Sequence, residues 1–485
     1  MFVKNTCQGV EKSHFLTSCY PNKGVSMSSG LAAVILAAGK GTRMRSTKPK
    51  VLHPLCGRPM LYYPLESARQ AGFSQLKVVI GHGADQVKEA FSDQPIAWVE
   101  QTSQLGTGHA LLCAVDALRG YSGPLLLLCG DVPLLKPETV QRLYEYHRQE
   151  EAAVTVLSAR MADPYGYGRI IRDGEQILGI IEERDADEDQ RLVTEINSGT
   201  YLFDAAFVVS ALEGLTKNNA QGEYYLTDVV AAATAAGKTT RALCVDDATE
   251  VMGINDRRQL AEAEVLMRWK INSDLLYAGV TMIDPTTVYI DDGVELGTDT
   301  LLHPNVHLHG KTSIGRNCIV ETGVVVTDSQ IAAGSHLKAG SVIEGSDVGP
   351  DCVIGPMAHL RPGTQLAGNN KIGNYVETKK AVLGAGSQAS HLTYIGDAEV
   401  GRNVNFGCGT ITCNYDGVSK HKTTIDDDVF IGSDTQFVAP VHIGRNSLIA
   451  AGSTITKDVP ADALALSRVD QKNIAGWRLR KQKKS

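Results

Sequence analysis

An aliphatic residue returns at every sixth position along two stretches of the C-terminal half: Val348, Ile354, Leu360, Leu366 and Ile372, then Ile425, Ile431, Phe437, Ile443, Ile449 and Ile455. A glycine often follows it (Gly355, Gly373, Gly432, Gly444), and a small or branched residue comes four positions after it (Ala358, Val376, Thr435, Ser447). A strand alternating every two residues and a helix turning every 3.6 both fail to explain this spacing. One short strand per step, each facing a shared interior, explains it. The pattern is that of a hexapeptide parallel β-helix, expected to be left-handed, in which stacking buries a ladder no single repeat could bury. The period is interrupted around "KAVLGAGSQASHLTY" and "TCNYDGVSKHKTT". Insertions in a solenoid form loops and often carry its site, so both segments are expected to be loops.

The N-terminal half follows a different rule. From Leu31 to Asn255, apolar runs such as "AVIL", "KVVIGHG", "PLLLLCGD" and "AAVTVLSA" alternate with segments of helical period such as "MLYYPLESARQAG", "TGHALLCAVDALRG" and "KPETVQRLYEYHRQ". This alternation predicts an α/β doubly wound, Rossmann-like domain with a mostly parallel sheet, whose ligands bind beyond the carboxyl ends of the strands. Asp256 to Gly279 reads as one charged connecting helix with Leu260, Val265, Leu266 and Trp269 as its apolar residues. The expected division is therefore an extension over 1–29, a nucleotide-type domain over 30–255, a helical linker over 256–279 and a β-helix over 280–485. The extension has neither a continuous apolar run nor a helical period; it is expected to be disordered, with Met27 as an alternative start.

Composition narrows the function classes. A net charge of -7 argues against a nucleic-acid binder working by bulk electrostatics. No apolar run approaches the roughly 18 residues a membrane span requires. Ten cysteines without a CxxC pair fit scattered free thiols in a reducing, cytoplasmic setting rather than zinc or a disulfide framework.

The loop after the first strand, within "AVILAAGKGTRMRSTKPKVL", is rich in glycine and cations. It lacks the GxxxxGK[ST] of a P-loop, and Met44 stands where a dinucleotide fingerprint needs its third glycine. What remains is the physics those motifs share. Free backbone N–H groups approach phosphate oxygens, here beside Arg43, Lys48 and Lys50.

"LAAGKGTRM" followed by "KPK" resembles the signature of nucleotide-sugar pyrophosphorylases, and "QLGTGHA", "LCGDVPLL" and "NNAQGEYYLTD" agree with it in order. With the hexapeptide half, the chain from Leu31 to Trp477 resembles a bacterial bifunctional family. Its members act as N-acetylglucosamine-1-phosphate uridylyltransferase and glucosamine-1-phosphate N-acetyltransferase. The resemblance implies attack by a sugar phosphate on the α-phosphorus of UTP, with Arg43 and Lys50 offsetting charge and Asp131 and Asn255 holding Mg²⁺. The family's usual Asn is replaced by Asp256 in "GIND", which leaves the register of that motif open. For the nucleotide the resemblance points to Leu36, Ala37, Ala38, Gly39, Gln101, Gln104, Gly106 and Thr107. For the sugar it points to Gly168, Glu182 and Asn197. The remainder of the acidic run "EERDADEDQR" is expected to be a solvated loop.

In the β-helix the resemblance implies acetyl transfer from acetyl-CoA, with His391 as general base and Glu377 orienting it or receiving the charge of the amine. Arg361 and Lys379 would hold the phosphate of glucosamine-1-phosphate, and Tyr394 and Asn405 would complete the sugar pocket. Cys408, Asn414, Tyr415, Ser433, Ala451 and Arg468 would line the acetyl-CoA site, with Cys408 standing where the family often has alanine. Hexapeptide acyltransferases commonly assemble as trimers, and a homotrimer is expected here. His303, His307 and His309 have a spacing that could bind a metal, but polar repeat turns are the favoured reading. The expected partners are small molecules, with no nucleic acid and no membrane. A pyrophosphorylase whose β-helix serves only assembly or regulation is the alternative, and the Arg361, Lys379, His391, Tyr394 set argues against it.

Overall fold

In the computed structural model, residues 30–118 and 120–482 are described. The extension 1–29 and the last residues of the basic tail lie outside them.

The apolar runs of the N-terminal half form a sheet of β1 (Leu31–Ala37), β2 (Phe73–Ile80), β3 (Ala97–Glu100), β4 (Pro124–Cys129), β5 (Val154–Arg160), β6 (Arg169–Asp173), β7 (Gln176–Ile181), β8 (Glu195–Asp204) and β9 (Thr240–Val245). The order is β9-β5-β8-β4-β1-β2-β3, with the β6–β7 hairpin set against β8. Strand β8 runs antiparallel to β4 and β5, and the other neighbours along this order are parallel. β1 is apolar throughout because both its faces are covered. Ala33 and Ile35 enter the core under helices Tyr62–Gln70 and Pro137–Gln149. Ala32 and Val34 enter the core under Thr107–Ala114, Ala205–Glu213 and Asp228–Ala235. The strand order reverses between β1 and β4, and a crevice opens beyond their carboxyl ends.

The connecting helix spans Arg257–Tyr277, with the Asp256 side chain capping it by accepting from Gln259 N–H at 2.9 Å. Not all of its apolar residues are buried. Val265 and Trp269 are 54% and 55% exposed, while Ala263, Met267 and Asn272 are buried. Ala263 and Met267 pack on Leu55, Cys56, Met60 and Tyr63, and Leu275 and Leu276 pack on the β-helix core. The helix is thus wedged between the two halves rather than presenting one uniform stripe. Asp292 N–H donates to Cys56 O at 2.9 Å, and Asn272 Nδ2 donates to Pro285 O at 2.7 Å.

Beyond it, short parallel strands stack in register. Leu302, Val320, Leu337, Ile354, Ile372, Ala389, Phe406, Ile431 and Ile449 form one continuous inward ladder. Successive members are 17 or 18 residues apart, except for Phe406 to Ile431, which are 25 apart. That long coil ejects the segment Asn414–Lys422, whose ends meet in a Tyr415–Lys420 bridge, so the second interruption is a loop. The first interruption is not. Strands Glu377–Leu383, Gln388–His391 and Tyr394–Val400 continue the ladders without a break. The sequence period fails there for two reasons. Inward positions step by five residues from Thr378 to Leu383, and Thr378 and Ala389, both fully buried, stand in for larger aliphatic residues.

Candidate active sites

Leu36 on β1 lies opposite Cys129 on β4, and Gly130 N–H donates to Leu36 O at 2.9 Å, which closes the floor of the crevice. Asp131 follows immediately. Ile254 N–H donates to Asp131 O at 2.9 Å and so carries Asn255 against it from far along the chain. The Lys50 ammonium is ion-paired with Asp131 and donates to Asn255 Oδ1 at 3.2 Å. Arg43 Nη2 donates to the same Asn255 oxygen at 2.9 Å. The four residues inferred from separate motifs therefore meet at one point, while Asp256 is occupied as the helix cap. Asn255, not its neighbour, faces the crevice. A carboxylate and an amide oxygen share one cation, so this donor set fits a hard divalent ion such as Mg²⁺. Lys48 stays exposed at the surface, its N–H on Ser46 Oγ.

Beside β1, Gln104 Nε2 donates to Ala38 O at 2.8 Å. Gln101 is buried, donates to Gly106 O at 3.2 Å and lies 3.0 Å from His109 Nδ1. Gly106 has φ 108°, and a Cβ there would meet Tyr224 O at 2.6 Å, a conformation and a gap that only glycine suits. Thr107 Oγ1 accepts from Leu226 N–H at 3.3 Å. "QLGTGHA" and "EYYLTD" are thus laced together. His109, stacked on Tyr224 with ring centroids 6.3 Å apart, belongs to the wall, although only its neighbours were singled out.

Asn197 N–H donates to Gly168 O at 2.8 Å, and a Cβ on Gly168 would sit 3.6 Å from both Asn197 Cβ and Glu182 Cδ. These three residues converge. Burial raises the Glu182 carboxyl above its ordinary range, and Thr227, which the sequence reading missed, opposes the shift by donating to Oε1 at 3.3 Å. The acidic run after Glu182 is not simply solvated. Glu183 holds the buried Arg169 at 2.7 Å, Asp185 accepts from Ala220 N–H at 3.0 Å, and Asp187 caps a helical turn.

On the β-helix, Glu377 pairs in register with Tyr394, and Arg361 Nη1 donates to Glu377 Oε1 at 2.7 Å. Lys379 meets Lys420, and the ammonium of Lys420, joined by the charge of Arg361, lowers the Lys379 pKa. Lys420 arrives from the ejected loop and had no signal in the six-residue period. His391 and Asn374 are paired in register, and His391 Nδ1–H donates to Asn374 Oδ1 at 2.9 Å. The expected orientation of His391 by Glu377 is thus replaced: the carboxylate is engaged by Arg361, and the imidazole partner is Asn374.

The inferred acetyl-CoA residues are largely stacked along one corner of the solenoid. Leu392 N–H donates to Asn374 O, Gly409 N–H to Leu392 O, Asp434 N–H to Cys408 O and Gly452 N–H to Ser433 O. Asn374, His391, Cys408, Ser433 and Ala451 thereby occupy equivalent places on successive coils, and Arg468 Nη1 donates to Ala451 O at 2.9 Å. Asn405 pairs with Gln388 on the coil before it. Asn414 is tied to Asp397, and Tyr415, 59% exposed, donates to Gly417 O at 2.6 Å within the ejected loop.

Of the three clustered histidines, His307 and His309 stand not in a turn but on the strand His307–His309, on either side of the buried Leu308. The His307 ring stacks on Tyr289 at 4.7 Å, and His309 lies 3.3 Å from Asp291. Among the described residues, no group of three or more His, Cys, Asp or Glu could hold a metal ion. No helix among them is long and apolar enough to cross a membrane.

Known families match segments of both halves of the chain. Residues 33–197 match the family model of the MobA-like NTP transferase domain. Residues 284–383 match the GMPPB C-terminal domain, and 422–457 the bacterial transferase hexapeptide (six repeats). The chain is 61% identical over 450 residues to the "Bifunctional protein GlmU" of Syntrophotalea carbinolica, covering 93% of this chain and 97% of that one. It is 54% identical over 457 residues to the protein of the same name from Pelobacter propionicus, covering 94% and 99%. With the protein of that name from Shouchella clausii the identity is 46% over 446 residues, covering 92% and 98%. Full-length similarity at this level, across both the nucleotidyltransferase and the hexapeptide halves, places the chain in the bifunctional GlmU family.

Proposed function

We propose that the chain acetylates glucosamine-1-phosphate with acetyl-CoA on its β-helix and then couples N-acetylglucosamine-1-phosphate to UTP in its N-terminal domain. The products of the second step are UDP-N-acetylglucosamine and pyrophosphate. The observation that supports the bifunctional reading is the second set of chemically able residues, Arg361, Lys379 and His391 on successive coils of a solenoid whose core is an aliphatic ladder without them. It favours two activities over a pyrophosphorylase with a merely structural β-helix.

In the first step the sugar amine attacks the thioester carbonyl, His391 takes its proton, and the C–S bond breaks to release the thiolate, which receives that proton. Arg361 and Lys379 attract the sugar phosphate, Tyr394 and Asn405 bound the sugar, and the corner from Cys408 to Ala451, with Asn414, Tyr415 and Arg468, receives the cofactor. Glu377, tied to Arg361, fixes that guanidinium rather than His391. In the second step the sugar phosphate oxygen attacks the α-phosphorus of UTP and expels pyrophosphate. Arg43 and Lys50 offset the charge that builds on the phosphates. Leu36 to Gly39, Gln101, Gln104, Gly106 and Thr107 would frame the nucleotide, and Gly168, Glu182 and Asn197 the sugar. Asp131 and Asn255 would hold Mg²⁺, which when bound neutralises triphosphate charge; Lys50 would then turn from these oxygens to the phosphates.

We read 30–255 as the uridylyltransferase domain, 256–279 as the linker and 280–485 as the acetyltransferase domain. The hexapeptide repeats support self-assembly, for which we propose a homotrimer, and a cytoplasmic location suits the substrates. The test supplies glucosamine-1-phosphate, acetyl-CoA, UTP and Mg²⁺ and follows free thiol and pyrophosphate separately. His391→Ala loses thiol release and keeps pyrophosphate release from ready-made N-acetylglucosamine-1-phosphate. Equal loss of both would refute two separate sites.

A further inference from the structure

The hydrogen-bonded histidines of the solenoid differ in the partner their rings face. His309, His336, His359, His421 and His442 each face a carboxylate, those of Asp291, Glu321, Glu344, Asp416 and Asp426, at 2.6 to 3.3 Å. His391 faces the amide oxygen of Asn374 at 2.9 Å. The difference has chemical content. A carboxylate opposite a ring adds a negative charge that favours the imidazolium, whereas an amide oxygen accepts Nδ1–H without bringing that charge. A ring that must accept a proton during the reaction has to begin neutral, with one nitrogen unprotonated and accessible.

The backbone fixes this pair as well. Asn374 and His391 are register partners on adjacent coils, and each precedes a bulky residue in the left-handed region, Tyr375 at φ 56° and Leu392 at φ 45°. On the following coils a glycine or aspartate holds the equivalent turn, Gly409, Asp434 and Gly452. Tyr375 and Leu392 are 61% and 58% exposed, so packing in a core does not account for the strained choice. Met357, one coil earlier, has the same conformation at φ 54°, so the left-handed turn recurs along this corner and sets the direction of the strand end that carries each pair member.

We propose that Asn374 is the positioning residue of acetyl transfer. It holds His391 as the neutral tautomer protonated on Nδ1, so that the lone pair on Nε2 faces the amine of the substrate. The inference rests on the reading of His391 as general base. Of the charged groups on neighbouring coils, Arg361 is paired with Glu377, Lys379 meets Lys420, Asp397 accepts from Asn414, and Lys371 stands at the far end of the strand that carries Asn374. None of them replaces the amide as partner of Nδ1.

Three variants of the full chain test this, with pyrophosphate release as the folding control. Asn374→Leu keeps the size and removes the acceptor; its kcat for thiol release falls by about 10²-fold, within the range a general base contributes, while KM for glucosamine-1-phosphate stays within about two-fold. Asn374→Asp keeps the acceptor but adds charge; its kcat recovers at high pH, and the acid limb of its rate profile moves to higher pH. Ring nitrogen NMR shifts of His391 report the Nδ1–H tautomer in the native chain and in Asn374→Asp, and its loss in Asn374→Leu. A kcat for Asn374→Leu within two-fold of native, an unchanged tautomer in that variant, or equal losses in Leu and Asp variants without a pH displacement would overturn the proposal. His391→Ala, run alongside, separates the two readings. If it retains thiol release the general-base assignment itself fails; if it is inactive while Asn374→Leu is active, only the role of Asn374 fails.

Discussion

Replacing Ile372 by alanine should uncouple the two activities. Ile372 is fully buried and stands in the inward ladder between Ile354 and Ala389. The substitution removes three carbon groups, worth about 2.4 kcal/mol at roughly 0.8 kcal/mol each. The void adds to this, because Ala389 on one side is already small and coils locked in register cannot close in. A total of about 3–4 kcal/mol follows, inside the range measured for such truncations. In a solenoid each coil contacts only its neighbours, so the damage concentrates on the strands Lys371–Asn374 and Gln388–His391 that carry the proposed base and its partner. The N-terminal sheet is packed by separate clusters that do not include Ile372. Urea titrations that follow thiol release and pyrophosphate release on the same sample should show the first midpoint falling by the equivalent of about 3–4 kcal/mol and the second staying in place. A change below about 1 kcal/mol, or loss of both activities at one urea concentration, would refute the reasoning.

Lys50→Met leaves Asp131 and Asn255 without their shared cation and should lower pyrophosphate release by about 10²–10³-fold with thiol release unchanged, measured with each substrate pair alone. Gly106→Ala forces φ 108° on a residue with a Cβ that would meet Tyr224 O at 2.6 Å, so a loss of about 1–3 kcal/mol and of uridylyl transfer is expected by thermal unfolding and pyrophosphate assay. His147 is buried, 2.8 Å from Thr155 Oγ1, and burial pushes its pKa down to about 4. The unfolded chain takes up that proton first. The contribution to stability is therefore complete above the ordinary histidine pKa and is lost as pH falls toward 4, by about 3 kcal/mol in all. His147→Phe should flatten the melting temperature over that interval, and an unchanged slope would contradict the assignment.

The loop from Gly39 to Lys50 and the β-helix were legible for the same reason: each is specified by residues close together in sequence. A ladder that repeats every six residues shows its own period, and the apolar run of β1 followed by glycine and cations announces a strand end that meets phosphate. The helical linker was legible as a helix, but not in its orientation. Which of its faces is buried depends on Leu55, Met60 and Tyr63 on one side and the first coils on the other, so the apolar Val265 and Trp269 are left exposed.

The sequence by itself determined the two architectures, their order and the residue types available for chemistry. Only the tertiary structure decided which of those residues meet. Asn255 reaches Asp131 because one backbone hydrogen bond from Ile254 crosses the crevice, and nothing local in either segment encodes that contact. Asn374 reaches His391, and Lys420 reaches Lys379, because a coil closes after 17 or 18 residues, or after 25 where it ejects a loop. A five-residue step and an inward threonine were enough to hide that closure from the period. The physical reason is one of range. Burial and turn geometry act between near neighbours and leave a pattern in the sequence, while hydrogen bonds between distant side chains depend on coil length and strand order, which the pattern records only after the chain has folded.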